Sequence, residues 1–252
     1  MTFFPNAKIN IGLRIVARRD DGFHNIETIF YPVLLRDALE FVSADDGSDS
    51  DSLTATGLVT GCRMSENLVV KAVNLLRRSF NIPALQIHLH KAIPPGAGLG
   101  GGSSDAAFTI RYLNRYYRLG LCENKLKELA LELGSDCPFF IDNVPAFATG
   151  RGEILSSLQP LLKGYHIILI NPGIEINTGE AYSRITPIEP VNSMVDLYLR
   201  PAEEWRDNIF NDFEPSVFGI YPEIGRIKEH LYDNGALYAS MSGSGSSVFG
   251  IF

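Results

Sequence analysis

The chain has 252 residues, of which 45% are hydrophobic and 20% charged, with a formal net charge of -7 and a pI near 5.3. This is the composition of a globular chain able to bury one sizeable core or two modest ones. Its acidic balance excludes a general nucleic-acid binder, whose affinity rests on clustered Lys and Arg. No apolar run approaches the ~18 residues of a membrane span, and Met1-Thr2-Phe3-Phe4-Pro5-Asn6-Ala7-Lys8 lacks a signal-peptide core, so the expected location is the cytoplasm with no membrane partner. Cys62, Cys122 and Cys137 form no CxxC pair, which points to reduced, buried thiols rather than a disulfide framework or a zinc site.

From Lys8 to Ala17, Ile9, Ile11, Leu13 and Ile15 alternate with other residues, the period of a half-buried strand. Segments 26–35 and 38–42 are rich in apolar and β-branched residues, so the first 60 residues read as antiparallel β. Residues 43–52 form an acidic, serine-rich turn whose spacing does not fit a calcium loop. Ser65 is the expected cap of a helix reaching Phe80, because Leu68, Val69, Ala72, Val73, Leu75 and Leu76 form a helical stripe. Leu85 to His90 alternates as a strand and puts His88 and His90 on one side, a pair with no third metal ligand in a nearby motif. Helices are expected at Asp105–Tyr117 and Glu123–Leu133, followed by Gly134-Ser135-Asp136-Cys137-Pro138-Phe139-Phe140. Pro160 and Gly164 bracket a connector, so the expected domains are residues 1–158 and 159–252. The second holds a strand at His166–Ile170, helices near Asp207–Phe213 and Pro222–Asn234, and a strand at Leu237–Ser240. A glycine-serine turn, Met241-Ser242-Gly243-Ser244-Gly245-Ser246, then sits between two short strands.

The most informative stretch is Pro94-Pro95-Gly96-Ala97-Gly98-Leu99-Gly100-Gly101-Gly102-Ser103-Ser104, five glycines just before an apolar run with helical spacing. Glycine lets backbone N–H groups approach a ligand, and the first turn of a helix adds unpaired donors and positive dipole, so the expected guest is phosphate. A Walker A loop would end in Gly-Lys-Ser/Thr, and here the lysine is missing. Residues 96–101 satisfy GxGxxG formally, but Pro94 and Pro95 break the strand a dinucleotide fold requires, and the acidic residue past Asp105 is Glu123, beyond a helix. The pair Ser103-Ser104 reads as the N-cap of the helix.

The remaining pattern, PxxxGLGxGSS, is similar to motif two of the GHMP kinases, which include galactokinase, homoserine kinase, mevalonate kinase and phosphomevalonate kinase. Pro5-Asn6-Ala7-Lys8-Ile9-Asn10-Ile11-Gly12-Leu13 is similar to motif one of that family, and Met241 to Ser246 to motif three. Within the family, Lys8-Ile9-Asn10, then Arg18-Arg19-Asp20-Asp21-Gly22-Phe23-His24 and the turn around Asp136, most resemble the members that phosphorylate a cytidine-linked methylerythritol. The resemblance spans nearly the whole chain. It implies a two-domain α/β (α+β) fold, with an N-terminal half like the ribosomal S5 second domain, a C-terminal ferredoxin-like half and an active site in the cleft between them. The implied reaction moves the γ-phosphoryl group of ATP, with Mg²⁺, to the 2-hydroxyl of a small molecule carrying cytidine diphosphate, in the non-mevalonate isoprenoid route. A monomer or homodimer is implied.

By the same resemblance Pro94 to Ser104 cradle the triphosphate, with a Ser103 or Ser104 hydroxyl near phosphate or metal, and Asn67 lies near adenine. Asp136 is the base for the acceptor hydroxyl, paired with Lys8, which stabilises developing charge. Asn10 reaches the polar end of the acceptor. Phe23, His24, Thr178 and Tyr182 hold the cytosine, with Phe23 and Tyr182 on its two faces; Phe stands at position 23 where relatives carry Tyr, which keeps stacking and loses a phenol contact. On residue type alone, Asp136 fits a turn or cap equally well, Asn67 a helix start, and Lys8 the solvent face of a strand. Two other classes stay open, a GHMP kinase for homoserine or a mevalonate derivative and an inactive nucleotide-binding regulator. Phe23-His24 speaks against the first, and Lys8 with Asp136 against the second. Relatives usually continue past motif three, whereas this chain stops at Phe252 in a strand pattern, which would leave an exposed sheet edge.

Overall fold

The computed structural model describes residues 2–44, 50–58 and 61–252, so residues 45–49 of the acidic turn expected at 43–52 lie outside the described residues. The elements run β1 (Thr2–Phe3), β2 (Asn6–Arg18), β3 (His24–Arg36), β4 (Ala38–Ser43), β5 (Ser52–Gly57), α1 (Leu68–Arg77) and β6 (Leu85–Lys91). Next come α2 (Gly101–Tyr116), α3 (Glu123–Leu133), α4 (Phe139–Asp142), β7 (Ala146–Thr149), β8 (Ile154–Ser157) and β9 (Ile167–Ile170). The last are α5 (Thr178–Ser183), α6 (Met194–Tyr198), α7 (Glu214–Ile220), α8 (Pro222–Asp233), β10 (Tyr238–Met241) and β11 (Val248–Ile251). Among the described residues no helix is long and apolar enough to cross a membrane. The chain divides into two compact units and passes between them repeatedly. The first holds residues up to Ala7, Val33–Pro95 and Gly100–Asn143; the second holds Lys8–Pro32, Gly96–Leu99 and Val144–Phe252.

The first unit has a four-stranded sheet in the order β1-β4-β6-β5. Alternate residues of β6 are buried, as its sequence period requires. β5 runs parallel to β6, which departs from the all-antiparallel expectation, because α1 lies between them in sequence and supplies the crossover. His88 and His90 do share a side, where both ring nitrogens meet the Thr56 hydroxyl at 2.9 and 3.0 Å. Helix α1 starts two residues after the expected Ser65 cap has passed: Asn67 is the cap, its side chain accepting from the Val69 N–H at 2.9 Å. Val69, Val70, Val73 and Leu76 bury one stripe of α1, and α2 packs against it through Ala106, Ala107 and Ile110. Small alanines let the two backbones approach. Helix α2 also begins earlier than its apolar period shows. Gly100, at φ 68°, is its N-cap, and Ser103 and Ser104 lie inside the first turn.

The second unit contains an antiparallel three-stranded sheet, β10-β11-β9, and a sheet in the order β2-β3-β7-β8. β11 is the central strand of the first of these, so its edges are β9 and β10 rather than the last strand of the chain. Leu13, Ile15, Phe213, Ile224, Leu231, Met241 and Val248 form the core. Each such side chain, fully buried, contributes roughly 1.5–3 kcal/mol of burial free energy. The helix expected at Asp207–Phe213 is absent, and α7 begins after it. Asn211 makes a bridge to Leu13, the Leu13 N–H donates to the Phe210 carbonyl at 2.9 Å, and the Asp212 N–H donates to the Leu13 carbonyl at 2.8 Å, so the segment is spent pairing with β2. Strand β2 is buried on both faces from Asn6 to Leu13, not on one, because polar residues take the second face. Of the cysteines, Cys137 is buried while Cys62 and Cys122 are exposed, since the latter two sit in turns ahead of helices.

A buried ionic group in the first unit ties the two ends of the glycine segment together. Asp37 is fully buried. Its Oδ1 accepts from the backbone N–H groups of Ala92 and Ile93 at 2.7 and 2.8 Å, and its Oδ2 accepts from Lys91 Nζ. The same ammonium donates to Asp105 Oδ2, on α2, at 2.8 Å. Burial pulls Lys91 down, but the charges of Asp105 and Asp37 outweigh it and raise the ammonium above its ordinary value. For Asp105, burial dominates; with the charge of Asp37 it outweighs Lys91 and pushes the carboxyl from 3.8 up to about 7. Folded protein therefore holds this proton to higher pH than unfolded chain, and the stability from the protonated form, complete below about pH 4, is lost as pH rises through about 7. Asp105→Asn keeps the shape without the titration. Its Tm relative to wild type, from circular dichroism melts, should shift in the variant's favour between about pH 5.5 and about pH 8; a gap constant with pH would remove Asp105 as the titrating group.

Candidate active site

In the second unit the site starts from the polar face of β2. Ile9, Ile11, Leu13 and Ile15 point into the core, which sends Lys8, Asn10 and Gly12 to the opposite face. Lys8 is buried, so the solvent-face alternative for it does not hold. Its Nζ donates to Asn10 Oδ1 at 2.5 Å and to the Gly98 carbonyl at 3.2 Å, and it lies 4.8 Å from the centre of the Phe30 ring. Asn10 in turn donates from Nδ2 to the Thr28 hydroxyl at 3.0 Å, and Thr28 donates to the Gly12 carbonyl at 2.5 Å. These bonds fix the amide so that its oxygen faces the ammonium.

Three separated pieces of sequence meet here. The Lys8 N–H donates to the Leu99 carbonyl at 3.0 Å, the Ser242 hydroxyl to the Gly98 carbonyl at 2.8 Å, and the Ser247 N–H to the Ala97 carbonyl at 3.3 Å. The Asn10 N–H donates to the Ser242 hydroxyl at 3.1 Å. Asn211 supports the turn of Ser242 from below, donating to the carbonyls of Met241 and Gly243 at 2.7 and 2.8 Å. Gly98, at φ 77°, packs on the Ser242 carbonyl so closely that a Cβ would overlap it. Ser242, Asn211 and Thr28 were not among the expected site residues. Ser242 stood within the glycine-serine motif, but nothing local marks Asn211 or Thr28.

In the first unit, Pro94 and Pro95 lead in and Gly100 leads out of the same segment. Positive φ recurs at Gly96, Gly98 and Gly100, with values of 64°, 77° and 68°, a backbone region that glycine enters without steric cost. Helix α2 has no side-chain cap, so its first N–H groups stay available to a ligand. Gly101 is required by contact: a Cβ there would meet Ile93 at 2.8 Å and Lys91 Nζ at 3.2 Å. The Ser104 hydroxyl is buried in this turn with no partner, and Ser103 hydrogen-bonds the Cys137 thiol. That contact puts the turn of Asp136, residues 135–138, beside the start of α2. Asp136 is half-buried there, and burial, with the charge of Asp136 added, pushes the Cys137 thiol up to about 12. Asn67 is buried as the cap of α1, as its alternative reading held, with its amide turned to Val69.

The expected base-binding residues form two groups within the second unit. His24 stacks on Tyr182, with centroids 4.9 Å apart and planes 19° from parallel, and Tyr182 meets Phe213 edge-on at 4.8 Å. Phe23 is 54% exposed and carries the Arg151 guanidinium over its ring at 5.0 Å. The ring facing Tyr182 is thus His24, not Phe23. Burial, and then the charge of Arg18, hold the His24 imidazole below its ordinary 6.5, so it is neutral near pH 7 and able to hydrogen-bond a base edge. The Thr178 hydroxyl shares a hydrogen bond with Ser244 at 3.0 Å. Arg151 and Phe213 were not expected, and no motif flags either.

Two family profiles match the chain, GHMP kinases N terminal domain over residues 67–151 and GHMP kinases C terminal over residues 193–252. The chain is 51% identical over 252 residues to the 4-diphosphocytidyl-2-C-methyl-D-erythritol kinase of Parabacteroides distasonis, covering 100% of this chain and 92% of that one. Against the enzyme of that name from Bacteroides fragilis the identity is 50%, with the same coverage. A crystal structure of 4-(cytidine 5'-diphospho)-2C-methyl-D-erythritol kinase superposes with a TM-score of 0.81 at 32% identity, covering 100% of this chain and 90% of that one. The mevalonate kinase of Methanococcus jannaschii shares the fold, with a TM-score of 0.72 at 14% identity over 100% of this chain and 90% of that one.

Gly96, exposed, and Gly98, packed on Ser242, separate strain from docking. Gly96→Ala, at φ 64° with no atom within 4 Å of its Cβ, should cost about 1–2 kcal/mol from backbone strain alone. Gly98→Ala adds overlap with Ser242 and should cost at least about 2 kcal/mol more than that, by the range for overpacking and strain together. Urea unfolding midpoints make the comparison, and equal losses would mean that the loop does not rest on Ser242.

Proposed function

Because the chain belongs to the GHMP kinase family, we infer that it transfers the γ-phosphoryl group of ATP to the 2-hydroxyl of 4-diphosphocytidyl-2-C-methyl-D-erythritol, a step of non-mevalonate isoprenoid synthesis. The observation that carries the reading is the docking of Ala97–Leu99 on Lys8 and Ser242. Two of the three segments that meet there, the glycine loop and the turn of Ser242, lie within the matched family profiles. The relatives at about half identity over the full chain support the acceptor. ATP and a phosphorylated metabolite are the reactants of an enzyme working in the cytoplasm.

Phosphoryl transfer asks a protein to position phosphates, stabilise charge and orient the attacking hydroxyl. Backbone N–H groups of residues 96–104 take the triphosphate, and the start of the α2 dipole favours its charge. Asn67, capping α1, lies on the adenine side. Lys8 supplies a buried cation whose desolvated field acts on the developing charge and lowers the acceptor hydroxyl pKa. Asp136 accepts the hydroxyl proton. Asn10 binds the acceptor's polar end, and His24, Phe23, Tyr182 and Thr178 hold the cytosine. Mg²⁺ needs few protein ligands when phosphates and water complete its shell, and Ser103 with the unpartnered Ser104 hydroxyl are the oxygen donors that would hold it. When bound, it neutralises phosphate charge.

The test is an acceptor panel with ATP and Mg²⁺, read by mass spectrometry for a gain of one phosphate. The cytidine-linked methylerythritol should be phosphorylated, with homoserine, mevalonate and plain methylerythritol phosphate left unchanged; equal use of these would overturn the acceptor. Asp136→Asn should lower kcat by about 10²-fold or more while ATP affinity stays near wild type, the size of a general-base contribution. Tyr182→Ala should act on KM instead, by roughly 1–3 kcal/mol, as stacking on a base is present before and during the reaction.

A further inference from the structure

Helix α2 has a second face that phosphate binding does not use. Its buried side carries Ala106, Thr109, Ile110 and Leu113, whereas Phe108, Arg111, Tyr112, Arg115 and Tyr116 recur at i, i+3, i+4, i+7 and i+8 on the other. With Phe3 of β1 and Arg118 past the helix end, they line a cleft of about 520 Å³, within the range of small-molecule sites. The rings form a ladder of near-parallel planes. Phe3 and Tyr112 are 4.9 Å apart and 21° from parallel, Tyr112 and Tyr116 are 5.5 Å apart at 21°, and Tyr112 also stacks on Phe41 at 5.5 Å and 9°. Tyr116 ends the ladder 54% exposed.

Charge completes the picture. Among the described residues three arginines line the cleft and no acidic residue does, in a chain whose net charge is -7. Arg111 lies 5.1 Å over the Phe108 ring and donates one N–H to the Phe140 carbonyl at 3.3 Å, and its charge also acts on Glu123. Among the described residues, Arg115 and Arg118 make no ion pair. Complementing the helix dipole accounts for a cation in the last turn, Arg115, but not for Arg111 or for the aromatic ladder. Stacked rings select a planar ligand, and guanidinium forks select phosphate. The cleft volume suits one nucleotide, and the acidic chain repels a long polyanion.

We propose that this cleft is a nucleoside-phosphate site, distinct from the phosphate loop at the opposite end of the same helix. The base lies on the Tyr112–Tyr116 ladder and the phosphate lies among Arg111, Arg115 and Arg118. The inference does not depend on the acceptor assigned above.

Photolabelling of the full chain with 2-azido-AMP, followed by peptide mapping, separates the two sites. Label should appear within residues 108–118, should be displaced by AMP and not by the same concentration of pyrophosphate, and should fall about ten-fold or more in Arg115→Glu/Arg118→Glu, the loss expected of charge-assisted hydrogen bonds. Circular dichroism checks the fold, and Arg115→Gln/Arg118→Gln serves if the charge reversal does not fold. Label absent from 108–118 or unchanged in the folded variants would overturn the site. So would displacement by pyrophosphate as effective as by AMP, or displacement by a short oligonucleotide alone.

Discussion

A glycine-rich loop binds phosphate well only if something else holds it still, since the freedom that lets its N–H groups converge also lets them scatter. In this protein the restraint is Asp37–Lys91–Asp105. Asp37 fixes the backbone at Ala92 and Ile93, where the chain enters the loop, and Lys91 carries the tie across to Asp105 in the helix where it leaves. Desolvating three ionisable groups is unfavourable, and a hydrophobic trio of like volume would be at least as stable. Once buried, though, Lys91 cannot be removed cheaply, because Asp37 and Asp105 would be left without their shared cation. A loss of about 3–5 kcal/mol is typical when one partner of such a group goes. The restraint fixes the ends of the loop, and its middle is fixed separately by Lys8 and Ser242.

What the sequence disclosed follows from the range of each signal. Strands β2 and β6 and helix α3 announce themselves by period, because a period needs only neighbours. The start of α2 is hidden, since Gly100 caps it through a left-handed backbone and not through a hydroxyl, and Ser103-Ser104 offered a more conventional cap one turn too late. The stretch before α7 looked helical for a related reason. Its apolar residues fit either period, and its pairing with Leu13 lies 198 residues back along the chain.

The site divides in the same way. Lys8, Asn10, Asp136 and the glycines sit in compact motifs, which is why the chain alone makes them candidates. Asn211 and Thr28, which hold the turn of Ser242 and the Asn10 amide, have no local pattern, and neither does Asp37, 54 residues from the lysine it holds. Lys91 is the exception that could have been noticed, a charged residue ending an alternating strand directly before the loop. The stacking of His24 on Tyr182 was also beyond reach, since sequence gives the ring types and not which faces which.

Cys137 turns the turn around Asp136 into its own reporter. Alkylating reagents and oxidants attack the thiolate, and a thiol pushed up to about 12 and kept from solvent has almost none to offer. While the turn is closed and Ser103 covers the sulfur, Cys137 is chemically silent beside the exposed Cys62 and Cys122. Each modification of Cys137 therefore records an opening event at the start of α2. Its rate measures how often the segment carrying Asp136 parts from the first turn of α2, a local free energy that melting the whole protein does not see.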